Sequence, residues 1–228
     1  MKRSEINKII RGALEFVRGR GIEFPPFATW TIDDWRALGE NGRELVDNML
    51  GWDVTDFGGD FKKSGITIFT FRNGNHNKRD MYPKPYAEKL LLVEDGQELP
   101  FHFHFSKMED IINRGGGNLI MHVYNSTDKD EGFADTDVHL TIDGEKITVP
   151  AGAEICLKPG QSVTLLPRQY HNWIGEGGKV MLFEVSTTND DNTDNRFYAG
   201  QKRLPDVEED EPPEFLIFKD YKNYVKFT

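Results

Sequence analysis

Beyond Gly51 the chain is built from short runs of β-branched and aromatic residues, separated by glycine, aspartate, asparagine and proline. Such runs include GITIFTF, EKLLLVEDG, PFHFHF, NLIMHVY, SVTLLP and KVMLFEVST. The segment TIDGEKITV contains Asp143-Gly144, a strong signal for a hairpin with a two-residue turn. Short strands at such regular spacing are typical of an antiparallel sandwich or barrel. The sequence therefore predicts a mainly β protein whose last strand is EFLIF (214–218).

The residues before Gly51 follow a helical pattern instead. Between Ile6 and Val17, apolar residues recur at the spacing of one buried helix face. We expect Ser4 to cap this helix at its N-terminus, and Gly19 or Gly21 to end it. These residues predict an N-terminal α-helical elaboration of the β-rich region.

A second helix is expected from Thr31 to Leu50, because Asp34 stands in the capping-box position relative to Thr31. The whole chain then reads as a single domain over 1–228. Helices occupy 1–50, and a β-barrel with its C-terminal strand occupies 60–228.

Composition limits the partners of this chain. It has 28 basic and 38 acidic residues and a formal net charge of -10. This balance argues against nucleic acid and against anionic membrane surfaces, and it leaves a neutral substrate or a cation. No apolar stretch approaches the roughly 20 residues of a membrane span, and no signal-peptide core is evident, so we expect a cytoplasmic protein.

The single cysteine, Cys156, excludes an internal disulfide and a zinc site built from several thiolates. It stands between Ile155 and Leu157 in an apolar run. We interpret it as a small buried hydrophobic residue.

The segment PFHFHFSKMED places His102 and His104 one residue apart in a strand pattern. Side chains alternate along a strand, so both imidazoles lie on one face and the neighbouring phenylalanines lie on the other. Paired imidazoles inside a barrel are costly unless they share a partner, and a divalent metal ion supplies one. Glu109 has the wrong parity for the same strand, so a turn must place it on the next one, where it faces inward again.

A further ligand must come from another part of the chain. His171, in LLPRQYHNWIG, follows a proline turn and is the best candidate. His76 lies in a polar loop and His139 in a hairpin, while His122 on its strand is interpreted as a hydrogen-bonded structural residue. The predicted metal ligands are therefore His102, His104, Glu109 and His171.

These residues resemble a known family. Gly96, His102-x-His104, Glu109 and a glycine near position 116 are similar to the first cupin motif. The second motif is matched less fully by 167–171, because its usual central glycine is absent. Over nearly the whole chain, the sequence resembles D-lyxose ketol-isomerases, on the segments MKRSEIN, PPFATW, HFHFSKMEDIINRGGG and EVSTTNDDNTDNRF. The resemblance implies a cupin-type antiparallel barrel (a double-stranded β-helix, or jelly roll) and a homodimer.

The resemblance also implies a metal-dependent aldose–ketose isomerase. Its substrates would be D-lyxose and D-mannose, converted to D-xylulose and D-fructose through a cis-enediol. Three imidazoles and one carboxylate leave two positions of a six-coordinate ion open for O1 and O2 of the sugar. Such ligands suit Mn²⁺ best, with Zn, Co, Ni or Fe as alternatives.

Proton transfer between C2 and C1 requires a base, and two residues qualify. Glu184 is a carboxylate within an apolar strand, where burial is expected to raise its pKa. Lys107 has the same parity as Glu109, which places it near the metal. We assign Glu184 as the proton carrier and Lys107 as the polarising group, although the two roles are exchangeable. Glu184 could instead be a buried ion-pair partner of Lys89 or Arg196, and Lys107 a solvated turn residue.

The acidic loop after Glu184 is interpreted through the resemblance as a sugar-binding loop. Carboxylates accept hydrogen bonds from sugar hydroxyls, and arginine donates them. The predicted substrate-binding residues are Lys89, Asp190, Asp194 and Arg196. Without the resemblance, composition favours a solvated acidic turn.

Three other functions remain open at this point. The same ligands could hold Fe(II) in an oxygen-activating cupin, or the protein could bind a sugar without catalysis. A sugar-phosphate isomerase is a weaker alternative, because no phosphate-binding loop is evident.

Overall fold

A computed structural model describes residues 1–227, so the last position of the predicted span, 228, lies outside the described residues. The described chain folds mainly into β-strands that pair antiparallel. The strands are β1 (Gly51–Thr55), β2 (Ile66–Arg72), β3 (Tyr86–Val93), β4 (Glu98–His104), β5 (Glu109–Gly115), β6 (Asn118–Asn125), β7 (Val138–Ile142), β8 (Glu145–Val149), β9 (Ala153–Leu157), β10 (Ser162–Leu165), β11 (Gln169–Glu176), β12 (Val180–Thr187) and β13 (Asn195–Phe197).

The strands form two sheets. The larger has eight strands in the order β1-β2-β3-β12-β5-β10-β7-β8, and the smaller has five in the order β13-β4-β11-β6-β9. The sheets face each other as the two layers of a jelly roll, which confirms the predicted mainly β, cupin-type fold. They stay separate rather than merging into one closed barrel.

The core between the sheets follows from the two-residue period of the strands. Leu91, Ile111 and Leu182 point inward from the larger sheet, and Met121 and Trp173 point inward from the smaller one. Each is at most 3% exposed. Burial of a side chain of this size contributes roughly 1.5–3 kcal/mol to the free energy of unfolding. This layer therefore stabilises the packing of one sheet on the other.

Helix α1 (Arg3–Arg18) covers the outer face of β1, β2 and β3. Its apolar face is buried as predicted, and Gly19 is its C-cap residue. The prediction for Ser4 is wrong, because the N-cap residue is Lys2. Ser4 lies within the first turn, where its hydroxyl donates to Asp210 Oδ2 at 2.7 Å. Ser4 therefore makes a tertiary contact with Asp210 and does not cap the helix.

The second predicted helix is broken into shorter pieces. Thr31 caps α2 and forms the expected capping box with Asp34. The elements that follow are α2 (Ile32–Arg36), a 3-10 turn (Glu40–Gly42) and α3 (Arg43–Asp47). Gly39 adopts an extended backbone between them, in keeping with the low helix propensity of glycine.

The predicted last strand is not a strand. Phe215, Leu216 and Ile217 are buried, but only a single bridge between Ile217 and Trp52 joins this segment to a sheet. Asp220 ends the extended path, because its Oδ2 accepts from the Ile217 N–H at 3.0 Å and starts a helical turn. The last helix, α4 (Tyr221–Tyr224), follows, so apolar content alone predicted the burial but not the conformation.

Cys156 is exposed, contrary to the prediction. Strand β9 is the last strand of the smaller sheet, and alternation turns Ile155 and Leu157 inward while Cys156 faces outward. Within residues 1–227, no helix has the length and apolarity to cross a membrane.

Candidate active site

Three histidines meet on the inner face of the smaller sheet. His102 and His104 lie on β4, and the register of the neighbouring β11 places His171 directly opposite His102. The ring centroids of His102 and His171 are 4.2 Å apart. One nitrogen from each imidazole lies within 4.8 Å of the others, and all three residues are buried. The strand alternation predicted from PFHFHF is therefore what assembles this cluster.

Each imidazole is oriented by a backbone carbonyl. The Nδ1 atoms of His102, His104 and His171 lie 3.0, 3.3 and 3.0 Å from the carbonyl oxygens of Pro100, Asp194 and Gln169. A carbonyl oxygen only accepts, so the proton of each ring resides on Nδ1. In a neutral ring the lone pair of Nε2 is then free, the arrangement that metal-ligating histidines adopt.

Glu109 faces this cluster from the larger sheet. It is the first residue of β5, reached through the predicted turn. Its Oε1 atom lies 3.3 Å from Nε2 of both His104 and His171. Glu109 Oε1 and His171 Nε2 are both buried, and the described structure gives neither a hydrogen-bond donor. Buried acceptors that converge in this way, without a donor between them, fit a divalent cation as their shared partner.

Burial sets the charge of these groups. It lowers the pKa of His171 to about 4 and that of His102 well below its ordinary value. Burial alone would raise the pKa of Glu109, but the Lys107 ammonium together with the neighbouring His104 and His171 outweighs it, and that pKa lies well below the ordinary value. At neutral pH, two neutral imidazoles therefore face an ionised carboxylate.

A row of alternating charges continues from Glu109 across the cavity wall. Lys107 Nζ lies 2.7 Å from Glu109 Oε2 and 2.9 Å from Glu184 Oε1. Lys89 Nζ then lies 3.5 Å from Glu184 Oε1 and 3.9 Å from Asp191 Oδ2. We call Lys107, Glu184, Lys89 and Asp191 the ionic row. Its positive and negative members alternate, so each buried charge has an opposite neighbour.

The ionic row reverses one prediction about acidity. Burial acts to raise the pKa of Glu184, but the ammonium groups of Lys107 and Lys89 outweigh it, and that pKa lies below its ordinary value. Burial likewise acts to lower the pKa of Lys107, and the carboxylates of Glu109 and Glu184 raise it above its ordinary value. At neutral pH Glu184 is therefore a carboxylate, and Lys107 is an ammonium.

These groups line a cavity between the sheets. Its polar lining is formed by His102, His104, Glu109, Lys107, Glu184, Lys89, Asp191, Asn195 and Arg203. Its apolar lining includes Trp173 and Phe197. Polar groups that converge in a cleft with apolar walls are characteristic of a small-molecule site.

Arg203 lines the cavity, although no pattern in the sequence singles it out. It lies in the segment QKRLPD, and its Nη2 atom is 2.6 Å from Asp53 Oδ2 and 3.3 Å from Asp191 Oδ1. Its buried Nη1 atom has no hydrogen-bond acceptor in the described part of the chain. Long-range pairing with Asp53 and Asp191 brings Arg203 into the site, and no local motif encodes it.

The predicted substrate-binding residues are distributed differently. Lys89 lines the cavity, whereas Asp190, Asp194 and Arg196 are not part of its lining. Asp190 accepts hydrogen bonds within its own loop, and Arg196 is exposed. Asp194 is buried against the turn that carries Lys107. Asp191, from the same acidic loop, is the member that reaches the cavity.

A jelly roll with three convergent imidazoles and a carboxylate at its internal cavity defines a cupin-type enzyme with a candidate metal centre. The family model of D-lyxose isomerase matches residues 1–221, and the chain belongs to this family of aldose–ketose isomerases. A D-lyxose/D-mannose isomerase of Serratia proteamaculans is 43% identical over 99% of this chain and 100% of its own length. A D-lyxose/D-mannose isomerase of Escherichia coli O157:H7 is 42% identical over 98% and 100%.

Solved structures of L-ribose isomerases share the fold at low sequence identity. The enzyme of Cellulomonas parahominis, solved with L-ribose, superposes with a TM-score of 0.56 at 16% identity, over 91% of this chain and 98% of that one. The enzyme of Geodermatophilus obscurus gives a TM-score of 0.58 at 16% identity, with the same coverage.

Proposed function

We propose that this protein interconverts D-lyxose with D-xylulose, and D-mannose with D-fructose, with the help of a divalent cation. Membership of the D-lyxose isomerase family supports the reaction class. The names of two relatives at more than 40% identity support the two aldoses. The polar side chains that line the internal cavity support a small polar substrate.

One observation carries this proposal: neutral imidazoles and ionised acid–base groups meet in a single buried cavity. His104 Nε2 lies 3.3 Å from Glu109 Oε1, and Glu109 Oε2 lies 2.7 Å from Lys107 Nζ. Glu109 thus joins the histidine cluster to the ionic row. An isomerase needs both kinds of group within reach of C1 and C2 of the same sugar.

The residues that would hold the cation are His102, His104, Glu109 and His171. Nitrogen and carboxylate ligands together suit Mn²⁺, and they also accept Zn, Co, Ni or Fe. When bound, the cation would act as a Lewis acid toward the oxygens at C1 and C2 and favour their negative charge. The identity of the metal is part of the proposal.

Glu184 is the proposed proton acceptor. Its carboxylate is ionised at neutral pH and lines the cavity, so it can take the proton from C2 of the aldose and return it to C1. Lys107 keeps its proton because two carboxylates hold it, which suits a hydrogen-bond donor to a developing negative oxygen and not a base. The structure thus favours one of the two assignments that the sequence left exchangeable.

The distal hydroxyls of the sugar are assigned to Lys89, Asp191 and Arg203. Asp191 can accept from a hydroxyl, and the free Nη1 of Arg203 can donate to one. The burial of both groups would make an unfilled hydrogen bond costly, which favours a ligand with several hydroxyls. The predicted roles of Asp190 and Arg196 in sugar binding stay predictions.

The homodimer and the cytoplasmic location also stay predictions. Sedimentation of the purified protein at micromolar and nanomolar concentrations would determine its oligomeric state. A single species at the mass of one 26.2 kDa chain across this range would contradict the homodimer.

The function is tested with protein that has been stripped by a chelator and then resupplied with Mn²⁺. We expect ketose formation from D-lyxose and D-mannose only after resupply, with deuterium from D₂O appearing at C1 of the ketose. Ketose without deuterium, together with unchanged turnover in Glu184→Gln, would indicate a hydride shift and would contradict the role of Glu184. No ketose with Mn²⁺, Co²⁺, Ni²⁺, Zn²⁺ or Fe²⁺, or consumption of oxygen with Fe²⁺, would contradict the isomerase itself.

A further inference from the structure

The carboxylate of Asp194 is fully engaged by the turn between β4 and β5. Its Oδ1 atom accepts from the Ser106 N–H and from the Ser106 hydroxyl, both at 2.8 Å. Its Oδ2 atom accepts from the Lys107 N–H at 3.0 Å. Asp194 is only 7% exposed and does not line the cavity. Its carboxylate therefore binds the backbone of the turn, not a sugar.

The backbone carbonyl of Asp194 makes a second set of contacts, with the end of β4 and the first residue of the turn. Its carbonyl oxygen lies 3.3 Å from His104 Nδ1 and accepts from the Phe105 N–H at 3.3 Å. The other two imidazoles are oriented by carbonyls two residues earlier in their own strands, Pro100 and Gln169. His104 is thus the member of the cluster whose orientation depends on a segment 90 residues away in sequence.

The position of this turn matters for two functional groups at once. It carries Lys107, whose ammonium must lie between Glu109 and Glu184. It also connects His104 to Glu109, the two candidate ligands at its ends. A short turn whose N–H groups are bound by a buried carboxylate has few alternative conformations, which fixes both ends relative to each other.

We propose that Asp194 is a positioning residue that holds His104 and Lys107 in their working orientations. This inference rests on the proposed function, because it assigns Asp194 a role in the same site. It replaces the direct sugar contact that the sequence predicted for Asp194. The residue acts through the turn, and its loss lowers catalysis and cation binding without removing any ligand or any acid–base group.

The test compares Asp194→Asn and Asp194→Ala with Asp143→Asn. Asp143 is a matched control, because its Oδ1 also accepts from a serine N–H and hydroxyl, those of Ser162 at 2.7 and 2.9 Å. It lies at an exposed hairpin turn that does not line the cavity. Each protein is stripped of metal and titrated with Mn²⁺ by calorimetry, and kcat and KM for D-lyxose are then measured.

For Asp194→Ala we expect kcat and Mn²⁺ affinity to fall by roughly 10–100-fold each, the usual cost of removing a group that orients metal ligands. KM for D-lyxose should change little, since no sugar contact is lost. Asp194→Asn keeps one carbonyl acceptor for Ser106, so it should retain more of the wild-type kcat and Mn²⁺ affinity than Asp194→Ala does. Asp143→Asn should match the wild type in both.

A double-mutant cycle with Lys107→Met separates positioning from general destabilisation. If Asp194 acts through the turn, Asp194→Asn should lower kcat far less in the Lys107→Met background than in the wild type. Equal losses in both backgrounds, or wild-type kcat and Mn²⁺ affinity in Asp194→Ala, would overturn the inference. A rise in KM alone would restore the direct sugar contact. Should Asp194→Ala fail to fold, Asp194→Asn gives the same comparison.

These results are distinguishable from a failure of the proposed function. An inactive wild-type protein would contradict the isomerase, but the Mn²⁺ titrations would still test whether Asp194 orients His104. An active wild type with an unaffected Asp194→Asn variant would contradict only the positioning role.

Discussion

The two walls of the cavity differ in the chemistry they supply. The smaller sheet contributes His102 and His104 to the lining, and His171 lies opposite His102 on β11; His102 and His171 have lowered pKa values. The larger sheet contributes Lys89 from β3 and Glu184 from β12, which are paired in register. We call the side with the three histidines the imidazole wall, two of whose members favour the neutral form, and the side with the ionic row the ionic wall.

This difference shows how one cavity can serve two tasks without interference. A cation needs neutral nitrogen lone pairs, and protonated imidazoles would repel it. Proton transfer needs ionised groups, and in a buried site these require neighbours of opposite charge. Glu109 belongs to the larger sheet yet faces the imidazoles, so it is the contact between the two walls.

The largest expected effect comes from neutralising Glu184 in the ionic wall. Glu184→Gln should lower kcat for D-lyxose by about 10²–10⁴-fold, because the proton acceptor is lost while the shape is kept. Initial rates of ketose formation measure this. Glu88→Gln is the matched control, since Glu88 lies on β3 beside the cavity residue Lys89 and pairs with Arg72. Full turnover by Glu184→Gln would mean that the base has been assigned wrongly.

Removing one member of the imidazole wall should affect cation binding first. His171→Ala should weaken Mn²⁺ binding by more than about 100-fold, beyond the range for groups that only orient a ligand. Activity at limiting Mn²⁺ should fall in parallel. His139→Ala is the control, because His139 is exposed and its Nδ1 is paired with Thr148. Unchanged metal content in His171→Ala would remove His171 from the site.

A smaller effect is expected from Arg203, which pairs with Asp191 at the end of the ionic row. Arg203→Met should lower kcat/KM for D-lyxose by about 10-fold, the value of one hydrogen bond from a charged donor. The loss should be mainly in KM, because the reacting carbons are not touched. The loss of kcat/KM should be smaller for L-glyceraldehyde, which has the same configuration at C2 as D-lyxose but lacks the distal hydroxyls. Arg114→Met is the control, since Arg114 is exposed on β5.

The smallest effect concerns the pH dependence of stability in the metal-free protein. The pKa of His171 is about 4 in the folded state, while an unfolded histidine has a pKa near 6.5. Between these values the unfolded chain binds the proton and the folded chain does not, so stability falls as pH falls from 6.5 towards 4. Denaturant unfolding at pH 7 and 5.5 should differ by about 1 kcal/mol more in the wild type than in His171→Asn. Equal differences would contradict the neutral imidazole.

The imidazole wall could be predicted from the sequence, and most of the ionic wall could not. The alternation in PFHFHF fixes the face of His102 and His104, and the turn before Glu109 follows from parity. Register between distant strands brings His171 opposite His102. The sequence indicated His171 as a ligand by its place after a proline turn and by the partly matched second motif. Local periodicity and motif spacing were enough for this half of the site.

The ionic wall depends on contacts between residues far apart in sequence. Glu184 was selected because a carboxylate stands in an apolar strand, but the sign of its pKa shift depends on Lys107 and Lys89, which arrive from other segments. Arg203 reaches the cavity through Asp53 on β1, about 150 positions earlier. Asp191 and Asp194 share one acidic loop, and only the folded backbone decides which of them faces the cavity.

The division between the two walls is tested most directly by titrating chelated Glu184→Gln protein with Mn²⁺. If the imidazole wall and Glu109 hold the cation on their own, the variant that has lost turnover binds Mn²⁺ with the affinity of the wild type. If its affinity falls by as much as its turnover, the ionic wall takes part in holding the metal, and the separation of tasks proposed for this cavity is wrong.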